Sequence, residues 1–294
     1  MKYEFGKTVW MEENPEGDVA HQSIEKMHQE IEDKIRASIE ALLESQENFL
    51  GKGMTAEVHF LEKDRGLCYK IIRKIDVMAR PDAVDSLPDK YREIYDRNKA
   101  AEEKAKKTPS GSKESSQIPW HVDLYSEAKF LSRARSVDPE GPVKVPRPDA
   151  RLEIVGKEEG EGFEVVDSLE VLLMERMNAV SVDDLILKQL DAPANFDYNR
   201  YCREVEEFIA KMHENKLYHR DLHGGNAMID LATGSPVIID FGRSSISTEE
   251  EAYLEEIRPG EKMHFIRDEQ MFRDKIKTPL AQYLAHQRLT NSAK

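Results

Sequence analysis

The chain has 294 residues, with 43 basic and 57 acidic side chains and a formal net charge of −14 at pH 7. This length suggests one large domain or two lobes, and the acidic balance argues against nucleic acid as a main partner, because phosphate binding needs a basic surface. Apolar runs reach only about six residues, so no membrane span is expected.

The first predicted element is a long amphipathic helix. Residues 1–17 have a mixed composition and are expected to be loosely attached. Through residues 18–43, apolar side chains recur in steps of three and four, at Ile24, Met27, Ile31, Ile35, Ile39 and Leu42. This spacing is typical of a helix with a polar outer face. The helix either packs on the rest of the domain or forms a partner-binding or regulatory surface.

A glycine-containing turn follows in a strand–turn–strand pattern. Gly51 and Gly53 allow a backbone to approach a phosphate closely and to expose its N–H donors. Ala56 and Val58 continue the order G-x-G-x-x-A-x-V. A plain hairpin is the alternative for this stretch.

The next predicted strand, residues 67–72, carries Lys70 among apolar residues. A buried lysine is costly unless an anion meets it, so Lys70 is a candidate ligand for an anionic group. A surface-facing lysine on an edge strand is the alternative. Cys68 in the same strand, like Cys202, is expected to be a free core thiol in a reducing compartment.

Residues 80–118 are predicted to be an insertion. Their charges alternate, prolines interrupt them, and residues 106–116 are rich in lysine and serine. We expect a solvated, charged helix at residues 90–107 and a flexible loop beyond it, so that the whole segment is mobile.

The middle of the chain alternates helix and strand. A helix begins near Tyr125 and carries Glu127. Strands are predicted at about residues 149–155 and 163–167, and an apolar strand is predicted at residues 169–174.

The densest polar pattern follows a predicted core helix. That helix has an apolar stripe formed by Tyr201, Val205, Phe208, Ile209 and Met212. Residues 219–226 then read His-Arg-Asp-Leu-His-Gly-Gly-Asn, and a predicted hairpin of residues 227–230 and 236–239 brings Asp240 beside Asn226. A polar loop with an aspartate at a strand end is the alternative.

The order H-R-D-x-x-x-x-N followed by D-F-G resembles the protein-kinase-like superfamily. The resemblance implies ATP and Mg²⁺ as cofactors and transfer of the γ-phosphate to a hydroxyl. Asp221 would orient that hydroxyl and take its proton. Asn226 and Asp240 would hold Mg²⁺ against the nucleotide phosphates.

The resemblance also assigns nucleotide-binding roles in the first half of the chain. Gly51, Gly53, Ala56 and Val58 would form the glycine-rich loop, with alanine in place of its third glycine. Lys70 would pair with the α- and β-phosphates.

In this family a glutamate on the following helix fixes the lysine, and Glu127 is the candidate. Glu102, Glu103 and Glu114 are rivals, but they lie in strongly charged stretches.

The strand at residues 169–174 resembles the one that enters the hinge between kinase lobes. The Glu175 carbonyl and the Met177 amide would then bind adenine through backbone hydrogen bonds. Ser181 is predicted to be the N-cap of a short helix, with Asp184 three residues later. Asp184 either serves this cap or reaches the ribose.

The family implies an α+β, bilobal protein-kinase-like fold. We expect an N-terminal helical extension at residues 1–47 and a small β-rich N-lobe at residues 48–177, which includes the insertion at residues 80–118. A reduced helical C-lobe is expected at residues 178–294.

Two departures bear on the substrate. Most Ser/Thr protein kinases carry lysine two residues after the catalytic aspartate, where this chain has His223. A loop with histidine there looks more like the aminoglycoside, choline and lipopolysaccharide kinases, or RIO-type atypical kinases. Arg220 is the protein-kinase form, whereas the small-molecule enzymes often carry glycine. There is no Ala-Pro-Glu after Gly242, so the C-lobe resembles minimal kinases such as some bacterial effectors.

Arg220 also bears on regulation, because in regulated protein kinases this arginine meets a phosphate on a loop after D-F-G. Here helical signals resume at Thr248, which leaves a short loop. We expect activity without phosphorylation, with one of the acidic residues 249–251 as the partner of Arg220. Phosphorylation of Ser244, Ser245 or Ser247 is the alternative.

The resemblance therefore predicts an ATP- and Mg²⁺-dependent kinase that most plausibly phosphorylates protein Ser/Thr. Catalytic candidates are Asp221, Lys70, Glu127, Arg220 and His223. The alternatives are a small-molecule or glycan kinase and a nucleotide-binding pseudokinase scaffold. Expected partners are protein substrates, and the expected location is the cytoplasm of its own cell or, for a secreted effector, the host cytosol.

Overall fold

A computed structural model describes most of the chain, namely residues 2–11, 18–44, 57–62, 66–107, 124–246 and 267–292. The fold is α+β. The chain divides into two compact units, one of residues 1–124 and 149–174 and the other of residues 125–148 and 175–294.

The first unit is built on a six-stranded sheet. Its strands are β1 (Lys2–Phe5), β2 (Val9–Trp10), β3 (Glu57–Glu62), β4 (Leu67–Ala79), β5 (Pro148–Gly160) and β6 (Phe163–Glu175). Their order is β1-β5-β6-β4-β3, and β2 also pairs with β5. The predicted strands are present, and β5 and β6 extend farther than expected.

Helix α1 (Asp18–Glu44) packs on this sheet. Ile31, Ile35 and Ile39 from its predicted apolar stripe are buried in one cluster with side chains of β4, β5 and β6. The predicted helix is confirmed. The protein's own sheet covers Ile31, Ile35 and Ile39, whereas Met27 is exposed. A partner-binding or regulatory role for this helix stays a prediction.

The expectation that residues 1–17 are loosely attached is wrong for residues 2–11. β1 runs antiparallel to β5, with Tyr3 opposite Gly156. The Tyr3 hydroxyl donates to the Asp167 carboxylate at 2.7 Å, and Arg73 Nε donates to the same carboxylate at 2.9 Å. A short strand added to a sheet depends mainly on long-range backbone pairing, which leaves little trace in local composition.

The charged insertion is folded over the part that the structure describes. The predicted helix is present as α2 (Asp89–Lys107). Apolar side chains around its first turns are buried against Val77 and Val165, namely Leu87, Tyr91 and Ile94. Three apolar residues with helical spacing therefore pack beneath the charges, which the composition did not indicate. Asp89, Lys90 and Glu93 keep the predicted solvated face, and the mobility of the segment stays a prediction. Residues 108–118 lie outside the described part.

The second unit combines five helices and five short strands among its described residues. The helices are α3 (Leu124–Val137), α4 (Val182–Leu187), α5 (Tyr198–Glu214), α6 (Arg267–Phe272) and α7 (Thr278–Ser292). The strands are β7 (Ala179–Ser181), β8 (Leu217–Tyr218), β9 (Ala227–Asp230), β10 (Pro236–Ile238) and β11 (Ser245–Ile246). They form a sheet in the order β10-β9-β7 and a separate β11-β8 pair.

Local signals for these elements are confirmed. The predicted stripe of α5 is buried, and Ser181 Oγ accepts the Asp184 amide at 3.0 Å as the N-cap of α4. The predicted C-terminal helices are α6 and α7, joined by a π-helical turn at Arg273–Lys277. Cys68 and Cys202 are buried thiols outside any disulfide, as expected. No helix in the described ranges is long and apolar enough to cross a membrane.

The β9–β10 turn is held by one carboxylate. Asp230 Oδ1 accepts the amides of Ala232 and Thr233 at 3.0 and 2.8 Å, and Oδ2 accepts Lys144 Nζ at 2.7 Å. Burial alone would raise the pKa of Asp230, but the hydrogen bonds from Lys144 and Thr233 outweigh it and lower the pKa to about 2.

The packing of α1 predicts an asymmetric response to truncation. Ile39→Ala should lower the free energy of unfolding by roughly 2–5 kcal/mol, because it removes buried methylene groups and leaves a cavity. Met27→Ala, at a position of the same stripe that is 41% exposed, should change it by less than about 0.5 kcal/mol. Urea unfolding measures both. Equal effects would contradict the packing of α1 on the sheet.

The pKa of Asp230 predicts acid sensitivity. Because the folded-state pKa lies below the ordinary value of 3.8, the stabilisation is fully present above about pH 4 and is lost as the pH falls towards about 2. The difference in urea midpoint between the wild type and Asp230→Asn should therefore be clear at pH 7 and shrink below about pH 4. Asp76→Asn, which breaks an exposed pair with Lys74, should change stability little at either pH.

Candidate active site

The eight-residue loop at residues 219–226 connects β8 to β9 and closes on itself. Asn226 Nδ2 donates to the Asp221 carbonyl at 2.9 Å, and the Asn226 amide donates to the His223 carbonyl at 2.9 Å. The loop is thus a compact turn that presents the Asp221 carboxylate, which is about one-fifth exposed.

Asp268 on α6 anchors the start of this loop. Its carboxylate accepts the His219 amide at 2.8 Å and the Arg220 amide at 2.7 Å. His213, at the end of α5, donates to it from Nε2 at 3.2 Å. Asp268 is only 1% exposed, so three donors converge on a buried anion.

The electrostatics of Asp268 match this geometry. Burial would raise its pKa, but the hydrogen bond from His213 and those from the two backbone amides together hold the pKa below its ordinary range. The sequence analysis missed Asp268. Its only local signal is an acidic residue in the first turn of a helix, which normally marks a favourable charge at a helix N-terminus.

His219 continues the network into the second strand of the hairpin. Its Nε2 donates to the Ile239 carbonyl at 2.9 Å, and its Nδ1 accepts the Asp221 amide at 3.3 Å. These two bonds fix the proton of the neutral ring on Nε2. The side chain is fully buried and packs against Phe241, so it couples the position of Asp221 to the segment that leads to Asp240.

Two non-glycine residues at the site have left-handed backbone conformations. Arg220 has a φ of +66° and Asp240 a φ of +60°. Such conformations cost of order 1–3 kcal/mol and persist only where the surroundings impose them. The Asp268 bond to the Arg220 amide and the bond from the Gly242 amide to Asp240 Oδ1 at 3.4 Å are the restraints seen here.

The Asp221 carboxylate has a nitrogen group near each oxygen. Arg243 Nη1 lies 3.3 Å from Oδ1 and His223 Nε2 lies 4.0 Å from Oδ2. The Gly225 amide donates to His223 Nδ1 at 3.0 Å, so the proton of the neutral imidazole is on Nε2, the nitrogen that faces Asp221. The sequence analysis proposed His223 but did not identify Arg243 as a contact of Asp221.

Position 224 requires glycine for a steric reason. A Cβ there would lie 2.0 Å from Asp183 Oδ1, while the Gly224 carbonyl accepts the Asp183 amide at 3.1 Å. The loop therefore approaches the start of α4 too closely for a side chain. Asp183 Oδ2 also lies 3.8 Å from His223 Nδ1, so this carboxylate borders the site.

Asn226 and Asp240 are brought to neighbouring positions. The Ile239 amide donates to the Asn226 carbonyl at 3.0 Å, so Asp240 follows directly after a residue bonded to Asn226. The side-chain Nδ2 of Asn226 donates to the Asp221 carbonyl, so the side-chain oxygen of Asn226 is not directed at that carbonyl. An amide oxygen and a carboxylate suit Mg²⁺, which commonly takes one or two protein ligands and completes its shell with water and phosphate. Among the described residues, no cluster of three His, Cys, Asp or Glu side chains could hold a metal.

Lys70 lies on β4 in the first unit. It is 5% exposed, and β4 lies inside the sheet between β3 and β6, so the alternative of a surface lysine on an edge strand is wrong. Val58 on β3 is its cross-strand partner, and directly opposed residues share a face of the sheet. Gly51, Gly53 and Ala56 lie outside the described residues.

Glu127 lies on α3 in the second unit and is 1% exposed, so it is not on a solvated helix face. Its rival Glu103 is exposed. Lys70 and Glu127 belong to different units, and their pairing stays a prediction.

The predicted hinge residues fall where the chain passes from one unit to the other, since Met174 ends the first and Glu175 begins the second. The Glu175 amide donates to the Arg147 carbonyl at 2.8 Å. Met177 lies in the loop before β7. The Asp184 carboxylate accepts Lys188 Nζ at 3.0 Å on the exposed side of α4. Binding of adenine or ribose by these residues stays a prediction.

The expected charge partners of Arg220 at residues 249–251, and Ser247, lie outside the described residues. Ser244 is buried, and its hydroxyl donates to the His219 carbonyl at 3.4 Å. This position disfavours Ser244 as a phosphorylation site in the folded protein.

The Asp268 network predicts a measurable loss of order. Asp268→Ala should lower the free energy of unfolding by roughly 2–4 kcal/mol, because it removes the acceptor of three buried donors. Hydrogen exchange of the His219 and Arg220 amides should also accelerate. Glu269→Gln, on the exposed neighbour whose carboxylate lies 3.4 Å from His213, is the matched control. Unchanged exchange at His219 and Arg220 in Asp268→Ala would contradict the anchoring role.

Comparison with known proteins bears on the second half of the chain. Residues 162–260, about a third of the chain, match the family described as Protein kinase domain. This stretch contains Asp221, Asn226 and Asp240 and does not contain Lys70. No curated protein matches the chain significantly. The match shows that this stretch is similar to protein kinase domains, and it supports phosphotransfer in general.

Proposed function

We propose that the protein is an ATP- and Mg²⁺-dependent kinase that transfers the γ-phosphate to a hydroxyl, and that this hydroxyl belongs to Ser or Thr of a protein. The observation that carries the proposal is the juxtaposition in the second unit. Asp221 lies partly exposed in a hydrogen-bonded loop, and Asn226 and Asp240 follow it on adjacent backbone segments.

In this proposal Asp221 accepts a hydrogen bond from the acceptor hydroxyl. It receives the hydroxyl proton as the new bond to the γ-phosphorus forms and the bond from the γ-phosphorus to the bridging oxygen of ATP breaks, which releases ADP. Little basicity is needed, because phosphoryl transfer depends mainly on positioning and charge stabilisation. His223 Nε2 lies 4.0 Å from the second oxygen of Asp221 and would border the acceptor position without a hydrogen bond to the carboxylate. Arg220 contributes through its backbone, which is bonded to Asp268.

Asn226 and Asp240 would hold Mg²⁺, which supplies charge neutralisation for the phosphates when bound. Lys70 would bind the α- and β-phosphates, and Glu127 would orient Lys70. The burial of both charged side chains supports these assignments, because a buried charge needs a partner.

The remaining nucleotide contacts are proposed on position along the chain. Gly51, Gly53, Ala56 and Val58 would cover the phosphates and base, and the backbone of Glu175 and Met177 would bind adenine. The ribose contact is proposed for Asp184. The N-lobe and C-lobe boundaries, near residues 48, 177 and 178, belong to the same proposal.

The acceptor class has one competing candidate. The imidazole of His223 beside Asp221 favours comparison with small-molecule and glycan kinases, whereas Arg220 favours a protein acceptor. A nucleotide-binding scaffold is disfavoured because Lys70, Asp221, Asn226 and Asp240 are all present.

The proposal is tested by turnover with labelled ATP. The full chain should transfer ³²P from γ-labelled ATP to itself or to dephosphorylated casein in the presence of Mg²⁺. Asp221→Asn should lower the rate by about 10²–10⁴-fold while ATP still binds, because it removes the proton acceptor. Asp240→Ala should abolish the tightening of ATP binding by Mg²⁺. Lys70→Met should lower the rate of phosphate transfer strongly, and Glu127→Gln should lower it to a smaller extent.

Asp191→Asn is the matched control, because this exposed aspartate lies outside the proposed site. Transfer to an aminoglycoside or a lipopolysaccharide core, without transfer to protein, would select the small-molecule alternative. ATP binding with no transfer and no hydrolysis would select the scaffold. Near-normal turnover in Asp221→Asn would refute the proposed base.

A further inference from the structure

One cation at the candidate site has no role in the mechanism above. Arg243 Nη1 lies 3.3 Å from Asp221 Oδ1 although the two residues are 22 positions apart. Arg243 directly follows the Asp-Phe-Gly sequence. The contact lies within the second unit, and it joins the segment after the proposed metal ligand to the proposed base.

The backbone of Arg243 is restrained on both sides. Arg243 ends the 3₁₀ turn Phe241–Arg243, which the Ser244 amide closes on the Phe241 carbonyl at 3.0 Å. The next residues, Ser245–Ile246, pair with β8 at the entrance to the catalytic loop. The guanidinium therefore extends from a short, doubly anchored segment next to the loop that it contacts.

We propose that Arg243 is a positioning residue for phosphoryl transfer, holding the Asp221 carboxylate in one orientation. This inference rests on the proposed function. Arg243 occupies the side of Oδ1 and His223 Nε2 that of Oδ2, at 4.0 Å. A carboxylate held at Oδ1 by Arg243, and only bordered by His223 on the side of Oδ2, directs its remaining lone pairs in one direction, where the acceptor hydroxyl must bind.

The alternative, a purely structural ion pair, is weak on physical grounds. The Arg243 side chain is 57% exposed, and an ion pair open to water is screened and adds little to folding stability. The same guanidinium still acts locally on Asp221, because a donor 3.3 Å from Oδ1 restrains the orientation of the carboxylate at every turnover. An effect on rate without an effect on stability is therefore the signature to test.

The test uses the full chain and compares Arg243→Gln, Arg243→Lys and Arg203→Gln. Arg203 is the matched control, because it is 65% exposed and lies 3.9 Å from a carboxylate, that of Glu207, on the surface of α5. Initial rates of ³²P transfer to the protein itself and to dephosphorylated casein, together with ADP release, are measured at varied Mg²⁺–ATP.

Arg243→Gln should lower kcat by about fivefold or more, the scale of one charge contact near a surface, while the KM for ATP stays within about twofold. Arg243→Lys should recover part of the loss, because it keeps the charge but not the planar fork. Arg203→Gln should match the wild type. All variants should have the same thermal midpoint. A lower midpoint in Arg243→Gln than in Arg203→Gln would make the contact structural and overturn the inference.

A double-mutant cycle locates the effect. In the Asp221→Asn background, measured at high enzyme concentration, Arg243→Gln should add less than about twofold, because both changes act on the same group. A full, independent loss in that background would show that Arg243 acts elsewhere and would overturn the inference.

The two possible failures are distinguishable. If the wild-type chain binds ATP and neither transfers phosphate nor releases ADP, the proposed function fails, and the role of Arg243 fails with it. If the wild type turns over and Arg243→Gln equals Arg203→Gln, only the role of Arg243 is refuted.

Discussion

The arrangement of the candidate site depends on one buried carboxylate, that of Asp268. It accepts the amides of His219 and Arg220 and so determines where the loop leaves β8. From there the hydrogen bonds continue, since the His219 ring holds both the Asp221 amide and the Ile239 carbonyl. The proposed base and the strand before the proposed metal ligand are thereby both held in place through Asp268. Helix α6 contributes no reacting group, but it determines the positions of these two segments.

This network offsets local costs. Arg220 and Asp240 both have positive φ values, and each such conformation costs of order 1–3 kcal/mol. Hydrogen bonds to charged acceptors contribute about 1.5–3 kcal/mol each. The bond from the Arg220 amide to Asp268 and the bond from the Gly242 amide to Asp240 are therefore strong enough to maintain these conformations. The negative charge of Asp221 is also offset locally. Arg243 and His223 flank its carboxylate, although the net charge of the chain is −14.

Much of the fold followed from local patterns. The periodicities of α1 and α5 predicted both helices and their buried faces, and the polar run at residues 219–226 predicted the loop. Two segments pack more closely than their composition indicates. Residues 2–11 join the sheet through backbone pairing with β5, and composition carries no record of pairing. The segment around the start of α2 buries Leu87, Tyr91 and Ile94, which dense surrounding charge concealed.

The sequence by itself determined the chemistry of the loop, because the spacing of Asp221, Asn226 and Asp240 is local and one turn plus one hairpin brings them together. It also determined that Lys70 lies on an apolar strand. Only the tertiary structure decided which groups surround Asp221. Asp268 is 48 residues from Arg220 and Arg243 is 22 residues from Asp221. Contacts over such separations depend on how helices and strands pack, and no short-range period in the sequence encodes them.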